Sequence, residues 1–310
     1  MNEYVEMGSA DVYESAPAKI NPVLRVMGRR EDGYHELETV VLPLTLADHL
    51  AINAAAGNEF RTLSLSLSVE GRTEITGGVP ADESNLVLRA AKSLADHAGV
   101  RGFAEVSLVK EVPAAAGLGG GSSDAAATLR VLNDLWGCGL SSDELGTVAA
   151  SVGSDVPALL PGGPVMVRGR GERVEPVRVP RLTWLLVTFD FGVSTRDAFG
   201  WWDEDGGVTG SDPADLLAAL NAPNGSDRAG TVARLAPLLF NDLQGPVVRR
   251  HQPIQEAMDT MREFGAAASI LCGSGPSVAG LFPSTHDREP LSKRLEEVSH
   301  RRPIWVASQS

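Results

Sequence analysis

The segment from Pro113 to Asp124 has the residue types and spacing of a phosphate-binding loop. Its glycines within five positions are Gly117, Gly119, Gly120 and Gly121. Glycine lets the backbone turn through positive φ and lets a ligand approach the main chain closely. The alanine-rich stretch that follows, Ala125–Trp136, predicts a helix, whose first amides and positive dipole end attract an anion. We therefore predict that something phosphorylated binds here.

Two other kinds of phosphate loop fit this segment less well. A Walker A loop needs Gly-Lys-Ser/Thr at a fixed spacing, and that tripeptide does not follow the glycines. A dinucleotide fingerprint needs an acidic residue about 20 positions further on to bind a ribose, and no clear candidate stands there.

Two short segments near the start of the chain carry polar side chains suited to binding. Lys19 and Asn21 are two residues apart on a predicted strand, so they share one face. Tyr34 and His35 follow a turn, and together can stack on a flat heterocycle and hydrogen-bond to it. Taken singly, the first pattern is more often an exposed strand edge, and the second is more often ordinary surface or core.

Two later segments combine glycine with polar residues. In Gly153-Ser-Asp-Val-Pro157, Asp155 follows a predicted helix that the proline prevents from continuing; the plain alternative is a helix-ending turn. Gly273–Ser277 lies between two apolar strands, where its amides can form an anion nest; the plain alternative is a β-turn.

The elements that must position these residues alternate without a strict strand–helix–strand rhythm. This favours an α+β chain of two domains over a doubly wound sheet. Residues 1–14 are predicted to be a loose extension, Ser141 and Glu144 form a capping box, and a domain boundary is expected near 179–227. Strands are predicted at Lys19–Met27, Leu37–Leu44, His49–Asn53, Leu63–Val69, Val165–Val167, Trp184–Phe189, Ser269–Leu271, Ser277–Leu281 and Ile304–Ala307.

Composition excludes several classes of protein. The formal net charge of −13 over 310 residues argues against nucleic acid or an anionic membrane as the main partner. No apolar run approaches the roughly 20 residues that span a bilayer, and the first 15 residues lack a signal pattern. Cys138 and Cys272, the two cysteines, offer neither a disulfide framework nor metal-ligand spacing. We expect a reduced, cytoplasmic protein.

The order of the five motifs resembles the GHMP small-molecule kinases, from about Ala16 to Val306. The motifs are Pro-x-Lys-x-Asn, Asp-Gly-Tyr-His, Pro-x3-Gly-Leu-Gly-Gly-Gly-Ser-Ser-Asp, Gly-Ser-Asp-Val-Pro and Gly-Ser-Gly-Pro-Ser. Asn241-Asp242-Leu243 also looks like a family segment. Asp-Gly-Tyr-His indicates the branch that acts on cytidine diphosphate-linked methylerythritol. The resemblance implies an extension over 1–15, an ATP-binding N-terminal domain over 16–180, a C-terminal domain over 181–310 and an active site in the cleft between the domains.

The activity that the resemblance implies is phosphoryl transfer from ATP to the 2-hydroxyl of that substrate, in the non-mevalonate route to isoprenoid precursors. Asp155 would accept the hydroxyl proton or orient the hydroxyl, and Lys19 would keep Asp155 ionised and help to neutralise the γ-phosphate. Mg²⁺ is expected with ATP, held by phosphates and water more than by protein, and no metal-ligating residue is assigned. The residues implied to bind ATP are Pro113, Gly117, Leu118, Gly119, Gly120, Gly121, Ser122 and Ser123.

The remaining implied residues would bind the acceptor substrate. Tyr34 and His35 would read its cytidine end, with Phe199 stacking on the other face of the base and Trp202 as the competing choice. Asn21 would hold either the substrate hydroxyl or Lys19 in place. Gly273, Ser274 and Gly275 would line the substrate's diphosphate or close the loop near the ATP phosphates.

Two alternatives remain open at this point. One is a sister kinase of the homoserine or mevalonate type, against which Tyr34 and His35 argue. The other is a non-catalytic nucleotide-binding regulator on the same fold, against which the intact Lys19, Asn21 and Asp155 argue. Either a monomer or a homodimer is compatible with the sequence.

Overall fold

The computed structural model describes residues 11–169, 171–221, 228–283 and 289–309. They fold into two compact units that are discontinuous in sequence. The first unit contains residues 11–16, Ala47–Glu111 and Gly120–Leu160. The second contains Pro17–Leu46, Val112–Gly119 and the described residues from Pro161 onward.

Strands and helices are mixed along the chain, as expected for an α+β protein. The strands are β1 Val12–Arg29, β2 His35–Ala56, β3 Leu63–Gly71, β4 Gly102–Lys110, β5 Val165–Gly169, β6 Arg173–Pro176, β7 Thr183–Val187, β8 Phe240–Asn241, β9 Ala268–Leu271, β10 Val278–Phe282 and β11 Ile304–Ala307. The helices are α1 Thr73–Thr76, α2 Leu86–Ala98, α3 Gly120–Leu135, α4 Ser142–Val152, α5 Val156–Leu159, α6 Thr195–Glu204, α7 Ala214–Asn221, α8 Arg228–Leu235, α9 Gln244–Arg250, α10 Gln252–Glu263 and α11 Glu289–Ser299, with a 3₁₀ turn at Ala236–Leu238.

The first unit places a helical layer on a short sheet. β3 runs parallel to β4, and β4 pairs antiparallel with residues 49–56 of β2. α2 packs against α3 and α4. The predicted capping box is confirmed, because the Ser141 hydroxyl accepts from Glu144 N while the Glu144 carboxylate accepts from Ser141 N. Asn85 caps α2 in a similar way through Val87 N.

The second unit contains an antiparallel sheet in the order β11-β7-β10-β9. The side chains of β7, one of its two central strands, alternate between two hydrophobic cores. Trp184 and Leu186 pack into one core, and Leu185 and Val187 pack into the other. Since successive strand residues point to opposite faces, one short strand supports both layers. In the same unit residues 37–41 of β2 pair with β5, and residues 23–24 of β1 pair with β8.

Two expectations about elements are corrected by the structure. Residues 12–15 belong to β1 rather than to a loose extension; residues 1–10 lie outside the described residues. Residues 45–48 continue β2, so the two predicted strands are one. The segment 206–227 is rich in Gly, Ser, Pro and Asp, yet it contains the helix α7, because Leu216 and Leu220 are buried in a core.

No helix within the described ranges is both long and apolar enough to cross a bilayer.

Candidate active site

A buried polar chain begins at Lys19 on β1 of the second unit. Lys19 Nζ donates to Asn21 Oδ1 and to the carbonyl oxygen of Gly117, both at 3.0 Å. Asn21 Nδ2 donates in turn to Thr39 Oγ1 at 2.9 Å, and that hydroxyl donates to the Val23 carbonyl at 2.6 Å. The predicted shared face is therefore present, and it is buried rather than an exposed strand edge. These bonds fix the direction of the ammonium group.

The glycine loop packs its backbone directly on the later glycine turn, within the second unit. Gly117 has φ +77°, and a Cβ atom there would lie 2.5 Å from Cys272 O and 2.7 Å from Gly275 O. The Leu118 carbonyl accepts from Lys19 N at 2.8 Å, while its side chain is buried in the core. The two glycine segments that the sequence singled out separately thus meet beside Lys19.

Replacing Gly117 by alanine tests this backbone contact. We expect a loss of about 1–3 kcal/mol in the free energy of unfolding, because the new methyl group meets two carbonyl oxygens and a non-glycine residue is strained at this φ. The matched control is Gly146→Ala in α4, where no atom lies within 4 Å of an added Cβ. Alanine favours a helix over glycine, so the control should not be destabilised. Urea unfolding measures both; equal stability of the two variants would contradict the packing argument.

The turn at Gly273–Gly275 is held from behind by Asn241. Asn241 Nδ2 donates to the carbonyl oxygens of Leu271 and Gly273, at 2.9 and 2.7 Å. A Cβ at Gly273 would lie 3.0 Å from Lys19 Nζ, so the turn backbone comes close to the ammonium group. Ser274 Oγ pairs with Thr195 Oγ1 at 3.0 Å. An ammonium group, amides and hydroxyls in this arrangement can stabilise an anion.

Residues 120–123 of the predicted ATP loop and Asp155 belong to the first unit, whereas Pro113 and Gly119 belong to the second. Gly120, Gly121, Ser122 and Ser123 form the first turn of α3. Ala125, Ala126 and Ala127 are fully buried, which lets this helix pack closely, as predicted. Asp155 is exposed and lies directly before α5, with Pro157 near the start of that helix. The proximity of Asp155 to Lys19 that the resemblance implies stays a prediction.

A buried charged cluster lies in the first unit and was missed from the sequence. Lys110 Nζ donates to Asp124 Oδ2 at 2.8 Å and also to Asp48 Oδ2, and all three side chains are at most 3% exposed. Burial raises the pKa of Asp124 to about 7, against the opposing effect of Lys110. Burial also opposes the charge of Lys110, but Asp124 and Asp48 outweigh it and raise the pKa of the ammonium group. The cluster ties β4 and β2 to the first turns of α3.

An aromatic cluster surrounds His35 in the second unit. The His35 and Phe199 rings stack with centroids 4.8 Å apart, and the Trp202 ring meets His35 edge-on at 5.7 Å. Trp202 is 5% exposed and its Nε1 donates to the Val208 carbonyl, whereas Phe199 is only half-buried. Tyr34 is 56% exposed. Phe199 and Tyr34 are therefore better placed than Trp202 to meet a ligand.

Across the described ranges, His, Cys, Asp and Glu side chains do not gather in groups of three or more that could hold a metal ion.

Two family models match this chain. The family model for the GHMP kinases N terminal domain matches residues 85–163, and that for GHMP kinases C terminal matches residues 216–300. They fall within the predicted segments 16–180 and 181–310, although the compact units do not follow that division, and the boundary near 180 stays a prediction.

Individual relatives point to one kind of kinase within this family. A protein of Salinispora arenicola named 4-diphosphocytidyl-2-C-methyl-D-erythritol kinase is 42% identical over 90% of this chain and 86% of its own length. A crystal structure of 4-(cytidine 5'-diphospho)-2C-methyl-D-erythritol kinase is 30% identical, with a TM-score of 0.74, and covers 96% of this chain and 100% of that one. A homoserine kinase from Cytophaga hutchinsonii, 17% identical with a TM-score of 0.65 over 99% of this chain and 97% of its own, shows the shared fold alone. The chain belongs to the GHMP kinase family.

Proposed function

We propose that this protein transfers the γ-phosphoryl group of ATP to the 2-hydroxyl of 4-diphosphocytidyl-2-C-methyl-D-erythritol. The observation that carries the proposal is the 42% identity, over 90% of the chain, to a relative of that name. The aromatic cluster at His35 supports it, because a cytidine end needs a flat, partly exposed stacking surface beside a hydrogen-bonding group. Homoserine and mevalonate, the substrates of the sister kinases, carry no such base.

Phosphoryl transfer depends mainly on positioning and on electrostatic stabilisation of the transferred group. We assign Lys19 to the γ-phosphate, because its ammonium group is held by Asn21 Oδ1 and Gly117 O at the meeting point of the two glycine segments. Asp155 accepts the proton of the attacking hydroxyl. Without that base the hydroxyl must lose its proton at neutral pH unaided, and general-base catalysis is worth about 10²–10⁴-fold.

ATP is assigned to the glycine segment and the first turn of α3. Positive φ at Gly117 and Gly119 turns the chain as a phosphate loop requires, and the helix offers unpaired amides to an anion. Mg²⁺ is assigned chiefly to phosphate oxygens and water, which suits an ion that dehydrates reluctantly. It supplies neutralisation of phosphate charge when bound. We place the reaction in the cytoplasm, where ATP is available and where free cysteines such as Cys138 and Cys272 stay reduced.

The base of the substrate is assigned to Tyr34 and Phe199, with His35 reading its edge. Replacing Phe199 by alanine should raise the KM for the cytidyl substrate about tenfold, because stacking of a base on an aromatic ring is worth roughly 1–3 kcal/mol. The KM for ATP should stay unchanged. Steady-state kinetics with each substrate varied in turn measures this. Trp201→Ala, on the same helix, serves as the control, and an equal rise in KM for both variants would remove Phe199 from the role.

A coupled assay of ADP release tests the proposed function itself. The purified chain is offered the cytidyl substrate, homoserine and mevalonate at equal concentrations with ATP and Mg²⁺. Turnover of the cytidyl substrate at least 100-fold above the other two is the expected result. Faster turnover of another alcohol would overturn the substrate assignment. Folded protein that binds ATP and turns over none of the three would favour a regulator.

A further inference from the structure

Asp203 holds the histidine that the proposed function assigns to the edge of the base. His35 Nε2 lies 3.0 Å from Asp203 Oδ1, although the two residues are 168 positions apart in sequence. The His35 side chain is 10% exposed and that of Asp203 is 35% exposed, so the pair is partly shielded from water. Phe199 covers one face of the imidazole, and Trp202 meets it edge-on. The ring is thus fixed in orientation as well as in position.

Asp203 lies near the C-terminal end of α6, and ion pairs just beyond it hold that end of the helix in place. Asp205 follows that helix and accepts hydrogen bonds from Arg250 and Arg249 of α9. Those bonds lower the pKa of Asp205 to about 2, so it is ionised at neutral pH. Arg250 also lies over the Trp201 ring, 5.1 Å from its centroid. With its C-terminal end tied to α9, the helix presents Asp203 to His35 from a supported position.

A carboxylate can only accept at this contact, which settles the roles of the two ring nitrogens. In neutral histidine one nitrogen carries the proton and the other accepts. Asp203 draws the proton to Nε2, so Nδ1 becomes the acceptor. At metal and catalytic sites too, a hydrogen bond from one ring nitrogen to a carboxylate leaves the other ring nitrogen unprotonated.

We propose that Asp203 is a positioning residue that sets the selectivity of this enzyme for cytosine over uracil through the tautomer of His35. The inference rests on the proposed function. Cytosine presents an amino group at position 4, whereas the corresponding position of uracil carries a carbonyl oxygen. A ring nitrogen fixed as an acceptor binds the amino group and repels the carbonyl. Asp203 therefore acts on the base without contacting it.

Asp203→Asn tests the proposal because the amide can either accept or donate. When it donates to Nε2, the imidazole carries its proton on Nδ1 and can bind the carbonyl of uracil. We expect the ratio of kcat/KM for the cytidine diphosphate substrate to that for its uridine diphosphate analogue to fall about 10- to 100-fold. The matched control is Glu204→Gln, next along the chain and 68% exposed, which removes the same charge and should keep the wild-type ratio.

Each outcome has a defined meaning. If Asp203→Asn lowers kcat/KM equally for both substrates, Asp203 is only structural and the proposal is overturned. If the wild-type chain turns over neither substrate, the proposed function fails instead, which the wild-type assay alone reveals. A second measurement needs no variant of Asp203. The ¹⁵N shifts of the imidazole in wild-type protein, assigned among its six histidines with His35→Gln, should show protonated Nε2 and bare Nδ1 at pH 7.5; a proton on Nδ1 would overturn the proposal.

Discussion

Asp155→Asn is expected to lower kcat about 10²- to 10⁴-fold and to leave the affinity for ATP nearly unchanged. Asparagine keeps the shape of the side chain but cannot take a proton from the substrate hydroxyl. Asp155 is exposed, so the change buries no new polar group and should not unfold the first unit. Steady-state ADP release gives kcat, and calorimetric titration of the same protein gives the dissociation constant of ATP.

The control for this prediction is Asp143→Asn, an equally exposed carboxylate in the first turn of α4. Asp143→Asn should leave kcat unchanged, because it removes one negative charge from the first unit but no proton acceptor from the site. Weakened ATP binding by Asp155→Asn with kcat preserved would contradict the role of a base and would indicate a role in nucleotide binding.

Lys110→Met is expected to destabilise the protein by about 3–5 kcal/mol at neutral pH. Methionine fills a similar volume but leaves the Asp48 and Asp124 side chains buried without their cation, and breaking a buried ion pair on one side typically costs that much. The loss is a large share of the 5–15 kcal/mol typical of a whole domain. Urea unfolding at fixed protein concentration measures it.

The pH dependence of this loss has a definite sign. In the wild type burial raises the pKa of Asp124 from its ordinary 3.8 to about 7. A carboxyl group whose pKa is raised in the folded state contributes stability below its unfolded pKa and loses it as the pH rises through the folded pKa. Removing Lys110 raises that folded pKa further. The difference in unfolding free energy between variant and wild type should therefore be larger at pH 8 than at pH 5.

An exposed lysine–carboxylate pair supplies the control. Lys92 pairs with Asp96 one turn along α2, with side chains 59% and 63% exposed. Lys92→Met should change the unfolding free energy by no more than about 0.5 kcal/mol at either pH, as is usual for surface pairs. If the two lysine variants lose the same amount, the buried cluster contributes nothing beyond a surface pair. Adding Asp124→Asn to Lys110→Met should cost less than the two losses summed, because the groups are in contact.

Local sequence patterns were enough to predict the parts of the site that depend on neighbouring residues. The two-residue spacing of Lys19 and Asn21 predicted a common face of β1, and Lys19 Nζ does reach Asn21 Oδ1. Ser141 and Glu144 predicted a capping box, and both of its bonds are present. Such patterns succeed because strand alternation and helix capping act over a few residues.

Asp48 shows why the sequence failed elsewhere. The apolar runs predict separate strands at Leu37–Leu44 and His49–Asn53, with Asp48 outside both of them. In the structure Asp48 is fully buried within β2, because Lys110, 62 residues later, is its counter-ion. The same holds for Asp203 with His35 and for Asn241 with the carbonyl of Gly273. Each of these pairs is made by the tertiary fold, and neither member carries a local signal for the other.

The burial of Cys272 gives the protein a native chemical reporter. Its thiol is fully buried, and burial raises its pKa to about 12, so the reactive thiolate does not form while the adjacent glycine turn is closed. Cys138 lies in the first unit and is only half-buried. Alkylation should therefore modify Cys138 first, and the slower rate at Cys272 should report how often the turn beside Lys19 opens. Cys138 is accessible without such an opening, so its rate serves as the internal reference for the slower reaction at Cys272.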